Sequence, residues 1–105
     1  MHHYDHHNPT YNDIYASNRA VIALVGRFIE CYMKENGLSY RAMAKRVKCA
    51  HMTIYAINKS RMNYCSLTLL SRVAVACGCS LLEWLRAPVP GEREAIEKQA
   101  GVFGK

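Results

Sequence analysis

No Asp or Glu occurs between residues 36 and 82 of this 105-residue chain. All eight acidic residues lie outside that window, with Asp5, Asp13, Glu30 and Glu35 before it and Glu83, Glu92, Glu94 and Glu97 after it. Inside it stand Arg41, Lys45, Arg46, Lys48, Lys59, Arg61 and Arg72. No carboxylate pair or His–Cys pair falls in a recognisable catalytic arrangement, so the chain is not read as an enzyme. No apolar run approaches the roughly 18 residues needed to span a bilayer, which excludes a membrane helix. No segment alternates apolar and polar residues as a half-buried strand does, which excludes a β architecture. The N-terminus is polar and His-rich rather than basic then apolar, unlike a secretory leader. The five cysteines, Cys31, Cys49, Cys65, Cys77 and Cys79, are therefore expected to be reduced thiols in a cytoplasmic protein. Cys77-Gly-Cys79 lacks the second pair or downstream His that completes a zinc site. It reads as small buried hydrophobes, and no metal or other cofactor is expected.

What the chain does have is charge of one sign and enough apolar residues for a core. The formal net charge is +6, the pI is about 9.2 and half of the residues are hydrophobic. The length fits one small domain with tails. The basic balance favours an anionic partner: nucleic acid, a membrane surface or an acidic protein.

Residues 1–17, "MHHYDHHNPTYNDIYAS", show no clear period and read as an irregular arm. "HHYDHH" can bind nickel or zinc adventitiously, but a flexible tail explains it without metal. A first helix is expected from Asn18, capped by Ser17 or Asn18, with Val21, Leu24, Val25, Phe28, Ile29 and Tyr32 in one stripe and Asn36-Gly37 as its stop. Ser39 caps a second helix, about 40–47, whose Met43, Ala44 and Val47 face inward. A third spans about 50–59, with Ile54 and Ile57 inward. A fourth spans about 67–77, burying Leu67, Leu70, Val73 and Ala74, and Gly78 ends it. Ser80 caps a fifth, "LLEWLR", closed by Pro88 and Pro90. The expectation is an all-α, compact five-helix domain over residues 18–87, followed by a tail at 88–105.

The second and third helices are only a few residues apart, so they must cross steeply, as in a helix-turn-helix. Once the inward residues are subtracted, the third helix presents His51, Met52, Tyr55, Asn58 and Lys59, with no carboxylate. A helix fits the major groove of B-DNA, where base edges display distinct donors, acceptors and thymine methyls. Asn can pair bidentately with adenine, His and Tyr can donate or accept, and Met can lie against a methyl. Arg41, Lys45, Lys48 and Arg61 flank this face and suit phosphates. A helical hairpin made basic for solubility fits the same charge and periodicity.

The stretches "LSYRAMAKRVKCAHMTIYAINKSR" and "SLTLLSRVAVACGCSLLEWL" resemble the Cro and phage-repressor-like (XRE) helix-turn-helix family over about residues 19–86. The matching positions are Leu38-Ser39-Tyr40, Ala44, Thr53-Ile54, Ile57, Ser66-Leu67, Val73-Ala74, Gly78 and Ser80-Leu81-Leu82-Glu83-Trp84-Leu85. The resemblance implies a lambda-repressor-like fold. It also implies phosphate contact by Tyr40, base reading by His51, Met52 and Tyr55, and phosphate contact by Lys59, Arg61 and Asn63. Departures stand beside the match. Lys48 occupies a position where the family often has a left-handed Gly, at a cost on the order of 1 kcal/mol. Ala50 replaces a Ser cap at a similar cost. Asn58 and Ser60 replace a frequent Glu and Gly.

The leading reading is a sequence-specific, DNA-binding transcriptional regulator: a dimeric repressor of a pseudo-palindromic operator. The homodimer is expected through Leu81, Leu82, Trp84, Leu85 and Val89, which crowd more apolar surface into nine residues than one short helix can bury inward. The Tyr-rich arm is a second candidate interface. The alternative is an antitoxin that binds a toxin protein through its tail and autoregulates its operon.

Overall fold

The computed structural model describes residues 10–86. The His-rich segment, Val89 and the tail proposed to bind a protein partner lie outside the described residues. Five helices follow in order: α1 (Tyr11–Asn36), α2 (Tyr40–Val47), α3 (His51–Asn58), α4 (Leu67–Ala76) and α5 (Leu81–Arg86). The all-α expectation holds, and among the described residues there is no strand.

The first helix begins earlier than the apolar stripe suggests. Residues 11–17 are helical and not irregular, and the cap is Thr10, neither Ser17 nor Asn18. The physical reason is a capping box. The Thr10 hydroxyl accepts from the Asp13 N–H at 3.1 Å, and the Asp13 carboxylate accepts from the Thr10 N–H at 3.2 Å. Two of the helix's orphan donors are thereby satisfied without help from a core. At the other end Gly37 takes φ 62°, a left-handed conformation that costs Gly little, and its N–H closes on the Lys34 carbonyl.

Three of the remaining starts use the same chemistry, and at α4 the Ser66 hydroxyl accepts from the Leu69 N–H at 3.0 Å. Ser39 accepts from Ala42 N–H at the head of α2, and the Ser80 hydroxyl and Glu83 carboxylate form a second reciprocal box at α5. α3 has no such cap. Ala50 already holds extended N-cap dihedrals (φ −71°, ψ 146°) but offers no side-chain acceptor. Ala50→Ser is therefore expected to stabilise the protein by about 1 kcal/mol, read from the urea midpoint. An unchanged midpoint would show that the α3 terminus gains nothing from a cap.

Periodicity dictates the core. Val25, Ile29, Met43, Ile54, Ile57, Val73 and Ala74 are fully buried, and Ala44, Val47 and Leu70 nearly so. Each isoleucine so buried contributes on the order of 1.5–3 kcal/mol. α3 sits at the centre of this arrangement, packed on one side by α1 and on the other by α2. α1 crosses α3 at Gly26, which is buried, and an added Cβ there would lie 2.5 Å from the Ile57 carbonyl oxygen. Among the described residues no helix is long and apolar enough to cross a membrane.

Two expectations about burial fail. Leu67, in the first turn of α4, is 71% exposed, whereas Leu70 one turn on is buried. Leu81 and Trp84, assigned to a dimer surface, are buried in their own domain. Phe28 on α1 receives the indole: the two rings stack with centroids 4.9 Å apart and planes 11° from parallel. Such a pair adds about 0.5–1.5 kcal/mol beyond its burial. The fifth helix is therefore anchored inward, and of the five residues Leu82 is exposed and Leu85 half-buried.

Candidate nucleic-acid interface

The interface is built around a tight turn. After Val47 the chain reverses through Lys48 at φ 66°, ψ 53°, the left-handed conformation expected of Gly at this position. A lysine there is strained by roughly 1 kcal/mol. The turn is clamped from a distance. Arg72 on α4 donates to the Lys48 carbonyl at 2.6 Å and to the Val47 carbonyl at 3.3 Å. These carbonyls are the orphan acceptors at the end of α2, and a cation there also complements the helix dipole. A guanidinium fork bonded to carbonyls of two successive residues offsets the strain and fixes how α3 leaves α2. Arg72, although exposed, is thus engaged within the fold. No local pattern in the sequence marks a side chain that caps a helix from the far side of the motif.

The α2–α3 turn frames an open groove of about 570 Å³ lined by Arg41, Ala42, Ala44, Lys45, Lys48, Cys49 and His51. Four of these side chains carry or can carry positive charge, and none is a carboxylate. Arg41, Lys45 and Lys48 are exposed, and His51 is half-exposed at the first turn of α3. Next to His51, Met52 stands 60% exposed. Tyr55, one turn further on, is held on one side by the Tyr40 ring, which meets it edge-on at 5.5 Å. The Arg61 guanidinium lies 5.7 Å from the centre of the Tyr55 ring. Lys59 is exposed beyond the end of α3, and Ser60 turns the chain at φ 55°. His51, Met52 and Tyr55 thus share one face of α3, with cations on both flanks.

Three assigned residues do not stand free. Asn58 turns back toward α1: its Nδ2 donates to the Gly26 carbonyl and to Glu30 Oε1, each at 3.3 Å. Its Oδ1 accepts from the Tyr40 hydroxyl at 2.8 Å. Asn58 follows Ile54 by four residues and Ile57 by one, so helical spacing already places it at the inner edge. The same bond engages the Tyr40 hydroxyl inside the protein. Asn63 is tied to α1, its Oδ1 accepting from Arg19 and its carbonyl from Asn18, both at 3.0 Å. These bonds fix the α3–α4 loop that carries Arg61.

Sequence reasoning also missed Glu30. The acid-free window describes the chain, not the surface, for α1 brings this carboxylate beside Asn58 and Lys59. Lys34 sits 3.2 Å from it. The bonds from Lys34 and Asn58 hold its carboxyl below the ordinary value, so it is ionised at neutral pH.

Residues 29–87 match the family model of the Cro/C1-type helix-turn-helix DNA-binding domain. The chain belongs to this family. No curated protein and no solved structure matches it. The Cro/C1-type match covers the last turns of α1 and all of α2 to α5, so the turn, the cationic groove and the exposed face of α3 fall within it. As a Cro/C1-type protein the chain is a DNA-binding regulator, and the face described above is its candidate contact surface.

The thiols stand apart from that face in chemistry. All five cysteines are free. Burial pushes the Cys49 and Cys65 thiols up, and the Cys77 thiol up to about 11, which leaves these three neutral and weakly nucleophilic at neutral pH. Among the described residues no group of three or more His, Cys, Asp or Glu is placed to hold a metal ion.

Proposed function

We propose that the protein is a sequence-specific transcriptional repressor that binds a pseudo-palindromic operator as a homodimer. One observation carries this reading: the exposed face of α3 presents His51, Met52 and Tyr55 between exposed cations, and Glu30, the carboxylate at its rim, is paired with Lys34. His51 and the Tyr55 hydroxyl suit base donors and acceptors, and Met52 suits a thymine methyl. Arg41, Lys45 and Lys48 on one flank, and Lys59 and Arg61 on the other, suit phosphates, which fix register without reading sequence. α3 is only eight residues long, so one copy reaches few base pairs. Two copies joined by a two-fold axis would double the readout on half-sites about one helical turn apart. For the dimer surface the exposed Leu82 of α5 is the better candidate, because Leu81 and Trp84 are occupied within the domain and Leu85 packs against its core.

Selection of duplexes from a random-sequence pool, followed by footprinting, tests the reading. The expected result is an enriched site with two related half-sites about 10 base pairs apart, centre to centre. Recovery of unenriched sequence would show that the protein grips DNA without reading it. Sedimentation at micromolar concentration should show a dimer that Leu82→Glu disrupts. A monomer at that concentration, with and without the selected duplex, would remove the dimer from the proposal.

A further inference from the structure

The hydrogen bonds around Asn58 determine which way a proton points at the edge of the DNA-facing surface. The Asn58 amide has one face that donates and one that accepts. Its two partners on α1, the Gly26 carbonyl and the ionised Glu30 carboxylate, accept only, so the nitrogen must face them. The oxygen then faces Tyr40, and at 2.8 Å the phenol must supply the proton. A phenol has a single proton. While this bond stands, the Tyr40 hydroxyl is an acceptor toward anything else. A phosphate oxygen is also an acceptor and gains nothing from it.

We propose that Glu30 and Asn58 are positioning residues that fix the Tyr40 proton inward, and that Tyr40 serves recognition by holding the Tyr55 ring, not by binding phosphate. This rests on the reading that α3 meets base edges. The Tyr40 ring lies edge-on to Tyr55, at 80° between planes, and Arg61 covers Tyr55 as well. A hydroxyl anchored on α3 keeps the Tyr40 ring from swinging, and the ring in turn limits where the Tyr55 hydroxyl can sit. The relay Glu30–Asn58–Tyr40–Tyr55 runs from α1 to the exposed face of α3. It also accounts for a carboxylate at the rim of a cationic surface: Lys34 pairs with its charge, and its acceptor oxygen sets the polarity of everything after it.

The test uses the full chain and two duplexes of equal length, one enriched by selection from a random pool and one scrambled. Each is titrated over a salt series with wild type, Tyr40→Phe, Tyr55→Phe and the double variant. Tyr40→Phe is expected to lower the selected-to-scrambled affinity ratio by roughly 3- to 10-fold, on the scale of one hydrogen bond. Scrambled binding and the salt slope should not change, and the loss should vanish in the Tyr55→Phe background. Asn58→Leu, which removes the acceptor of the Tyr40 proton, should lower the ratio in wild type and not in Tyr40→Phe. Equal weakening on both duplexes with a salt slope reduced by about one per subunit would make Tyr40 a phosphate ligand and overturn the proposal. Additive losses in the double variant would also overturn it. If wild type discriminates between no duplexes, the base-reading function fails instead. Should Tyr40→Phe fold poorly, the wild-type protein still decides. Proton NMR should show a slowly exchanging Tyr40 hydroxyl with cross-peaks to Asn58, and a rapidly exchanging hydroxyl contradicts the relay.

Discussion

Gly26→Ala is expected to destabilise the protein by about 2 kcal/mol, although the same change in most helix interiors stabilises. Alanine gains on the order of 1 kcal/mol over glycine in helical backbone entropy. At position 26 the added Cβ lies 2.5 Å from the Ile57 carbonyl oxygen, 3.2 Å from Asn58 Cα and 3.3 Å from the Asn58 carbonyl oxygen. These are backbone atoms of α3 and cannot retreat as a flexible side chain would. α1 and α3 must part, which loosens Ile54 and Ile57 and lengthens the bond from Asn58 to the Gly26 carbonyl. Overpacking typically costs about 1–3 kcal/mol, and a clash with backbone belongs at the upper end, about 3 kcal/mol, which leaves about 2 kcal/mol after the entropic gain. The melting temperature should fall by roughly 8–16 °C for a domain of this size. A melting temperature equal to or above wild type would show that the two helices are not in close contact at Gly26.

The second large effect concerns grip. Arg41 and Lys45 are exposed on α2 and border the cationic groove. The double variant Arg41→Gln, Lys45→Gln keeps helix propensity and removes two charges. If each meets a phosphate, the slope of log K against log salt should fall by about 1.8 per subunit, at about 0.9 for each contact. At 0.1 M salt that corresponds to roughly tenfold in affinity per lost contact, on any duplex. The selected-to-scrambled ratio should stay where it is. An unchanged slope would place the DNA backbone elsewhere on the domain.

Much of this architecture is legible because short helices announce themselves locally. Ser39 and Ser80 mark starts, Gly37 and Gly78 mark stops, and 3.6-residue spacing picks out Met43, Ala44, Val47, Ile54 and Ile57. What fails to show is whatever depends on a neighbour. Trp84 and Leu81 look like surplus apolar surface until Phe28 on α1 is known to lie against the indole. Leu67 keeps helical register with Leu70 and Val73, yet register does not say where the core ends. Arg72 and Glu30 read as a member of a basic run and a distant acid, and only the fold brings one to the α2 carbonyls and the other to Asn58. Two signals were present and outweighed. Thr10-x-x-Asp13 is a capping box within a stretch whose polarity suggested an arm. Asn58 sits one turn after Ile54, on the buried side, within a helix whose polar residues all invited an outward assignment.

The most direct measurement compares His51→Ala with Lys45→Gln on a selected and a scrambled duplex at several salt concentrations. His51 lies at the start of α3 between the groove and Met52, and Lys45 lies on the supporting helix. If the exposed face of α3 reads bases, His51→Ala should weaken the selected duplex by about 1–3 kcal/mol and leave the scrambled duplex and the salt slope nearly unchanged. Lys45→Gln should weaken both duplexes alike and lower the slope by about one per subunit. Equal losses on both duplexes for His51→Ala, repeated for Met52→Ala, would contradict base reading by α3.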